Sequence, residues 1–438
     1  YLFLLTLFII FFVKSEIMNF FKFFFDVSFQ LRLSSKLTLE NLIQWGFIFA
    51  FIFFIFSFLI TLRVFPSDHD DLHFYYSIQE QYSYYGRIIP FYDSLEMLGG
   101  VAMVFYSYIH TLLGPIFVFS LSFIFWILTL LTLFIFSKEY FSYKISIVSF
   151  FLSLSLPMSV YFLTTQKVEF IVSFYSMLSV FTLFYWLKYH DIKYFFLSSI
   201  FLGYVFDAKL TGLILVVTYV FFLFILAIFK KLSWKNYFVY FILFIIFSLP
   251  ILFTNFYFYQ EPLSPTSLLH EKKDKIFQTD KKVHVYEIFY TPFASERMDE
   301  YTHLTRKNEV SHSNIINFFW KMWNLNINQN GFSLLYGQIS PFFLICLPFF
   351  ILLFFTFRLY KNTNILLLTL LSFIFFVVWY FFGNERVWYG VSGMFLFVIL
   401  CAITFLHIHY KFFYVPLAII IILFLLRTFL YSVTSILY

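Results

Sequence analysis

The chain has 438 residues, of which 62% are hydrophobic and only 12% are charged, and phenylalanine alone contributes 75. No soluble fold can hide this much apolar surface from water, so lipid must be the solvent for most of the chain. The formal net charge of +6 does not indicate nucleic-acid binding, because the basic residues are scattered in short segments between apolar runs.

Apolar runs near the length that crosses a ~30 Å hydrocarbon core recur along the sequence and predict an all-α, polytopic membrane protein. We predict about 11 transmembrane helices and leave the short first run, residues 1–13, out of that number. In chain order the predicted spans lie at residues 45–64, 115–136, 145–163, 169–187, 193–207, 210–229, 237–256, 332–357, 364–382, 390–408 and 413–433. Both cysteines lie inside such runs, which argues against a disulfide or a zinc site.

Lysines and arginines fall on alternate connections between these spans. They are Lys138, Lys144, Lys188, Lys193, Lys230, Lys231, Lys235, Arg358 and Lys361. Because short basic loops face the cytoplasm, the sequence predicts a plasma (inner) membrane protein whose active site lies on the extracytoplasmic side. The pattern requires residues 97–114 to lie at the outer surface as a juxtamembrane helix, since another span there would invert every later loop.

The predicted organisation has four parts. Residues 1–44 form a cytoplasmic or interfacial segment, and residues 45–256 form a transmembrane module that contains an external loop at 65–114. A large external loop follows at 257–331, and residues 332–438 form the C-terminal transmembrane helices. Functional groups are expected in these two sizeable loops and in the short turns on the same side.

Three carboxylates, Asp68, Asp70 and Asp71, occupy four positions directly after the first predicted span. Like charges this close repel one another unless a positive or protic group is brought to them. A carboxylate there could be the general base that activates a hydroxyl acceptor. The composition leaves a solvated loop and cation binding as alternatives.

Residues 70–98 resemble the first external loop of the GT-C superfamily of polyprenyl-phosphate-sugar glycosyltransferases, which includes protein O-mannosyltransferases and lipid A aminoarabinose transferases. Tyr75 stands where those relatives have a histidine. Further segments that resemble the superfamily follow in the same order at 166–188, 202–217, 255–266, 330–350 and 384–395. The matching residues of the first loop are Asp70, Leu72, Phe74, Tyr75, Gly86, Arg87, Ile88, Glu96, Met97, Leu98, Gly99 and Gly100.

The resemblance implies a GT-C-like fold and an inverting transfer of a sugar from a polyprenyl-phosphate-linked donor to a glycan, lipid or protein acceptor. It implies that Asp70 is the general base, that Asp71 is the next candidate, and that Glu169 positions the acceptor or the donor. No cofactor is required, and no ligand spacing indicates a metal, although an aspartate-rich loop would suit a divalent cation.

Basic residues at the outer ends of spans are candidates for the donor phosphate. Lys209 and Arg386 have that position, with Tyr389 close to Arg386, and an arginine can bind two phosphate oxygens at once. The alternative is snorkelling, in which these side chains reach the lipid headgroups. Glu96 and Lys167 are further candidates in the same loops.

Two other functions fit a polytopic membrane chain. A lipid-linked oligosaccharide polymerase or ligase would depend on Arg and His in the late loop rather than on Asp at the exit of the first span. A secondary transporter would place ionisable residues near the bilayer midplane and show paired, interrupted repeats.

Overall fold

The computed structural model describes residues 52, 76–86, 100–154, 156, 167–259, 341–382 and 390–407. These residues are helical with short connections, and no strand occurs among them, as the sequence predicts. The α-helices are α1 (Ser77–Tyr85), α2 (Gly100–Leu113), α3 (Pro115–Tyr140), α4 (Tyr143–Leu154), α5 (Glu169–Tyr189), α6 (Ile192–Ala208), α7 (Leu213–Ile228), α8 (Trp234–Tyr259), α9 (Pro341–Thr356), α10 (Thr363–Phe382) and α11 (Val391–His407). Single 3-10 turns cover Leu210–Gly212 and Leu359–Lys361.

Helices α3 to α11 overlap apolar runs that predict spans, whereas α1 and α2 lie in the predicted external loop at 65–114. The spans predicted at 169–187 and 193–207 correspond to α5 and α6, whereas α9 begins at residue 341, later than the predicted start at 332. The spans predicted at 45–64 and 413–433 lie outside the described residues. By length and composition, five segments in the described ranges can cross a membrane: Ser120–Tyr140, Glu169–Tyr189, Leu210–Ile228, Trp234–Tyr257 and Thr363–Phe381.

The basic connections meet at one end of the bundle, which we call the basic end. There Glu139 of α3 accepts hydrogen bonds from Lys188 Nζ and from the Tyr189 hydroxyl of α5, each at 2.9 Å. The Asn364 side-chain amide of α10 donates to the backbone oxygen of Tyr140 at 3.1 Å. These contacts connect helices that are far apart in sequence.

Tight turns at the basic end reverse the chain. α5 ends where His190 takes a left-handed conformation (φ 56°), and its amide donates to Trp186 O at 2.7 Å. α6 begins at once, because the Asp191 carboxylate accepts a hydrogen bond from the Lys193 amide. Lys230 and Arg358 also have positive φ. Both lie at helix C-termini, where a positively charged side chain interacts favourably with the helix dipole.

Polar side chains connect the helices inside the apolar bundle. Ser179 of α5 donates to the backbone oxygen of Ser198 of α6 at 3.0 Å. The hydroxyl of Ser198 lies 2.8 Å from the hydroxyl of Tyr240 of α8. Since lipid offers these groups no partner, such hydrogen bonds contribute to association between membrane helices.

The opposite end, which we call the outer end after the predicted orientation, depends on close packing around α6. A Cβ atom on Gly203 would lie 2.7 Å from the Cβ of Phe247 on α8. A Cβ on Gly212 would clash with the backbone oxygen of Val205. Only glycine therefore allows α8 and the start of α7 to approach α6 this closely.

α2 does not cross the bundle from one end to the other. Gly100 at its start (φ +51°) is so close to α6 that a Cβ would clash with the backbone oxygen of Asp207. Its last residue is joined by Gly114 to α3, whose far end lies at the basic end. At 14 residues it is about 21 Å long. This geometry agrees with a juxtamembrane helix, and its position relative to a bilayer stays a prediction.

Candidate functional site

The outer ends of α5 and α6 bring two opposite charges together. Glu169 is the first residue of α5, and Lys209 directly follows α6. Because the two helices are antiparallel neighbours, these positions lie at the same end. Lys209 Nζ donates to Glu169 Oε1 at 2.6 Å, and each side chain is only 5% exposed.

This burial bears on the alternative of snorkelling for Lys209, whereas its contact with a donor phosphate stays a prediction. A snorkelling lysine extends toward water, whereas Lys209 directs its ammonium group at a buried carboxylate. Taking two charges out of water is costly, and a paired arrangement with further hydrogen bonds offsets that cost. Glu169 Oε2 is buried and has no hydrogen-bond partner. The N-terminal position on α5 stabilises the carboxylate further.

Lys167 lies at the same end, two residues before Glu169. It is only 2% exposed, and its backbone oxygen accepts a hydrogen bond from Ser122 Oγ of α3 at 3.4 Å. The structure therefore pairs Glu169 with Lys209 and places Lys167 at the same end of the bundle, and all three were predicted from the sequence. A buried site with these groups can bind an anionic group or a hydroxyl-bearing one.

Asp207 is a buried carboxylate that the sequence analysis did not select. It is 1% exposed and accepts a hydrogen bond at 3.2 Å from the amide of Ile251, next to Pro250 inside α8. An ionisable residue within an apolar helix is itself a signal of function or of specific pairing. That signal was present in the Asp207-Ala208-Lys209 segment.

A second polar group of side chains lies between α1 and α2, and the sequence analysis did not select it either. The Tyr76 ring meets the His110 ring edge-on at 5.7 Å, and the Tyr76 hydroxyl donates to Glu80 Oε1 at 3.2 Å. Burial lowers the pKa of His110, and the Glu80 carboxylate opposes this shift. The pKa of Tyr76 is raised, first by burial and then by Glu80. Gln79, in the same turn of α1, is fully buried.

The remaining predicted residues lie outside the described residues. They are Asp70, Asp71, Glu96, Arg386 and Tyr389. In the part of the chain that the structure describes, no three His, Cys, Asp or Glu side chains form a group that could hold a metal ion.

The chain is similar in structure to ArnT from Cupriavidus metallidurans. For ArnT bound to undecaprenyl phosphate, the identity is 12% and the TM-score 0.50, over 81% of this chain and 59% of that chain. For ArnT in the apo state, the identity is 12% and the TM-score 0.52, over 82% of this chain and 59% of that chain. The likeness shows the fold, so this chain has the GT-C fold that its sequence resemblance predicts.

AglB from Archaeoglobus fulgidus, an archaeal oligosaccharyltransferase in complex with an inhibitory peptide and a dolichol-phosphate, is also similar. Its identity is 14% and its TM-score 0.47, over 87% of this chain and 55% of that chain. No protein-family model matches the sequence, and no curated protein matches it.

The buried pair predicts a pronounced non-additivity in stability. Glu169→Gln or Lys209→Met alone removes one side of a buried ion pair and should destabilise the protein by about 3–5 kcal/mol. The double variant removes both charges and should recover more than half of that loss. Thermal unfolding of the detergent-solubilised protein measures the three values.

The Glu139–Lys188 pair at the basic end is the matched control, because its side chains are 36% and 38% exposed. Glu139→Gln and Lys188→Met should each cost about 1 kcal/mol or less. Additive losses at Glu169 and Lys209 would contradict a coupled buried pair.

Proposed function

We propose that this chain is a membrane glycosyltransferase that moves a sugar from a polyprenyl-phosphate-linked donor to a hydroxyl-bearing acceptor. The observation that carries the proposal is the fold shared with ArnT, a protein whose structure contains bound undecaprenyl phosphate. The buried Glu169–Lys209 pair at the outer end of the bundle supports it, since it supplies charged groups where a lipid phosphate would arrive.

In the proposed reaction Asp70 is the general base. Its carboxylate accepts the proton of the acceptor hydroxyl while the hydroxyl oxygen forms a bond to the anomeric carbon of the donor sugar. The bond from that carbon to the phosphate oxygen breaks, and polyprenyl phosphate leaves with the electron pair. Attack opposite the leaving group inverts the anomeric centre. Asp71 is the next candidate for the base, and no cofactor takes part.

The leaving phosphate gains negative charge as the bond breaks, so the site needs cations there. We assign this role to Lys209 and Arg386, with Tyr389 as a hydrogen-bond donor. In the absence of donor, Glu169 neutralises Lys209 and holds its ammonium group in place. Glu96 and Lys167 complete the proposed set of loop residues around the reacting groups.

The proposal places the chain in the plasma (inner) membrane with this site on the extracytoplasmic side. The support is the clustering of basic connections at the end opposite Glu169 and Lys209, because positively charged loops stay in the cytoplasm.

The placement of charged residues along the helices favours an enzyme over a transporter. Glu169 begins α5 and Asp207 lies near the end of α6, whereas transporter sites lie near the bilayer midplane.

Replacing the general base tests the chemistry. Asp70→Asn keeps the shape of the side chain but cannot accept the proton, so transfer should fall by about 100-fold or more while the protein still inserts and accumulates. Asp71→Asn should have a smaller effect. The measurement is sugar transfer by purified protein in lipid nanodiscs, with polyprenyl-phosphate sugars as donors. Asp191→Asn, at the basic end, is the control, and full activity of Asp70→Asn would exclude this base.

Replacing Arg386 tests the donor site in the same assay. Arg386→Ala should raise the KM for the donor about tenfold or more without changing the KM for the acceptor, because it removes a charge-assisted hydrogen bond to phosphate. Arg386→Lys should recover part of the loss, since lysine keeps the charge but not the planar fork. Arg358→Ala at the basic end should change neither constant. A normal donor KM in Arg386→Ala would remove Arg386 from the phosphate site.

Orientation is tested independently of activity. Single cysteines at Ser67 or Ser311 should react with an impermeant thiol reagent added outside intact cells, whereas a cysteine at Ser233 should react only after permeabilisation. The background is the chain with Cys346 and Cys401 replaced by serine. Ser233 is exposed at the basic end, so a lack of outside labelling would not result from burial. Labelling of Ser233 from outside would invert the proposed orientation.

A further inference from the structure

The described part of α1 packs against α2, and the contact contains polar side chains that the bundle does not satisfy. Gln79 is 0% exposed, and neither its Oε1 nor its Nε2 has a hydrogen-bond partner. Both ring nitrogens of His110 are buried without a hydrogen-bond partner as well. Tyr76 and Glu80 adjoin these two residues, and we call the four side chains the α1–α2 seam.

The serine and threonine hydroxyls on α2 differ from the seam in this respect. Ser107 donates to Met103 O at 2.7 Å, and Thr111 donates to Ser107 O at 2.8 Å. Both hydroxyls therefore have partners within their own helix. The Gln79 amide and the His110 ring make no such contact, and a buried polar group without a partner destabilises the fold. The seam therefore carries a cost that a bound polar ligand would remove.

The chemistry of the seam selects a neutral, hydroxyl-rich ligand. Because burial lowers the pKa of His110, its ring is neutral at pH 7 and offers one donor and one acceptor. The Gln79 amide also offers both, and the Glu80 carboxylate accepts a hydrogen bond. A hydroxyl group donates and accepts at once, so adjacent hydroxyls on one ring match this set. The four seam residues include no cation to bind an anion.

Three of the four seam residues reach the surface of the described structure. Glu80 is exposed and Tyr76 and His110 are partly exposed, whereas Gln79 is fully buried. The Tyr76 ring adds an aromatic surface, and aromatic rings pack against the apolar parts of amphipathic ligands.

We propose that the α1–α2 seam is an acceptor subsite for a neutral glycan, with Gln79 and His110 as the residues that bind its hydroxyls. This inference rests on the proposed function, because it names the substrate class of that reaction. Gly100, at the start of α2, contacts the end of α6 beside Lys209. His110 lies ten residues further along the helix, about 15 Å from Gly100. The subsite would therefore hold a part of the acceptor distant from the reacting hydroxyl.

A peptide acceptor is less compatible with the same observations. Peptides are commonly bound by strand addition, and the described ranges contain no strand to which one could be added. A peptide backbone also presents its donors and acceptors on separate N–H and C=O groups, whereas the Gln79 amide and the neutral His110 ring each offer both a donor and an acceptor. An uncharged tripeptide is therefore the competing probe in the test.

Binding can be measured without donor or turnover. The full chain in lipid nanodiscs is titrated with neutral trisaccharides of glucose, mannose and galactose, and with an uncharged tripeptide, by saturation-transfer-difference NMR. We expect at least one trisaccharide to bind. Gln79→Leu and His110→Phe should each weaken that binding by about tenfold or more. Tyr84→Phe on the exposed face of α1 should not change it.

Stability distinguishes a ligand site from a structural one. Leucine at position 79 fills the same volume without unpaired polar atoms, so Gln79→Leu should raise the melting temperature of the ligand-free protein while it reduces binding. Retention of trisaccharide binding by Gln79→Leu would overturn the proposal, and so would the absence of trisaccharide binding to the wild type. Binding of the tripeptide with loss in Gln79→Leu would replace the glycan with a peptide.

The two proposals fail in different ways. Asp70→Asn should still bind the trisaccharide if the subsite is correct, because it only removes the base. Sugar transfer that is unchanged in Gln79→Leu would reject the subsite and leave the glycosyltransferase proposal intact. Trisaccharide binding by a protein that transfers no sugar would reject the proposed function and leave a glycan-binding site.

Discussion

The pairing of Glu169 with Lys209 is the interaction on which the outer end of this bundle depends. Glu169 and Lys209 place opposite charges in contact in an apolar surrounding, so that α5 and α6 can bury them together. The pair fixes the relative height of two antiparallel helices. It thereby sets the position of Asp207, which meets α8, and of the α6 terminus, which meets Gly100 of α2.

Glycine is the second condition for this arrangement. At Gly203 and Gly212 the neighbouring chain is too close for a Cβ, so α8 and the start of α7 can approach α6 this closely only because those positions are glycine. Charge pairing and close packing act on the same short stretch of chain. A polar site can therefore exist in an otherwise apolar bundle, because the elements that surround it cannot slide relative to one another.

The sequence predicts the helices well because lipid restricts the backbone to helices and their length is set by the membrane. Lys209 was predicted from its place at the end of an apolar run, Glu169 from the resemblance to the GT-C superfamily, and Lys167 as a further candidate in the same turn. The contact between Asp207 and Ile251, and that between Tyr76 and His110, join positions 44 and 34 residues apart in sequence. Local patterns carry no information about such pairings, so the partners of Asp207 and His110 became visible only in three dimensions, as did the burial of Gln79.

The hydrogen bond from Ile251 to Asp207 makes one backbone amide a reporter of helix separation. In most of α8, an amide is protected from exchange with solvent by a carbonyl of its own helix. The Ile251 amide, next to Pro250 within α8, also donates to the Asp207 side chain of α6. Its hydrogen-exchange rate therefore depends on how often α6 and α8 part at this contact as well as on opening within α8.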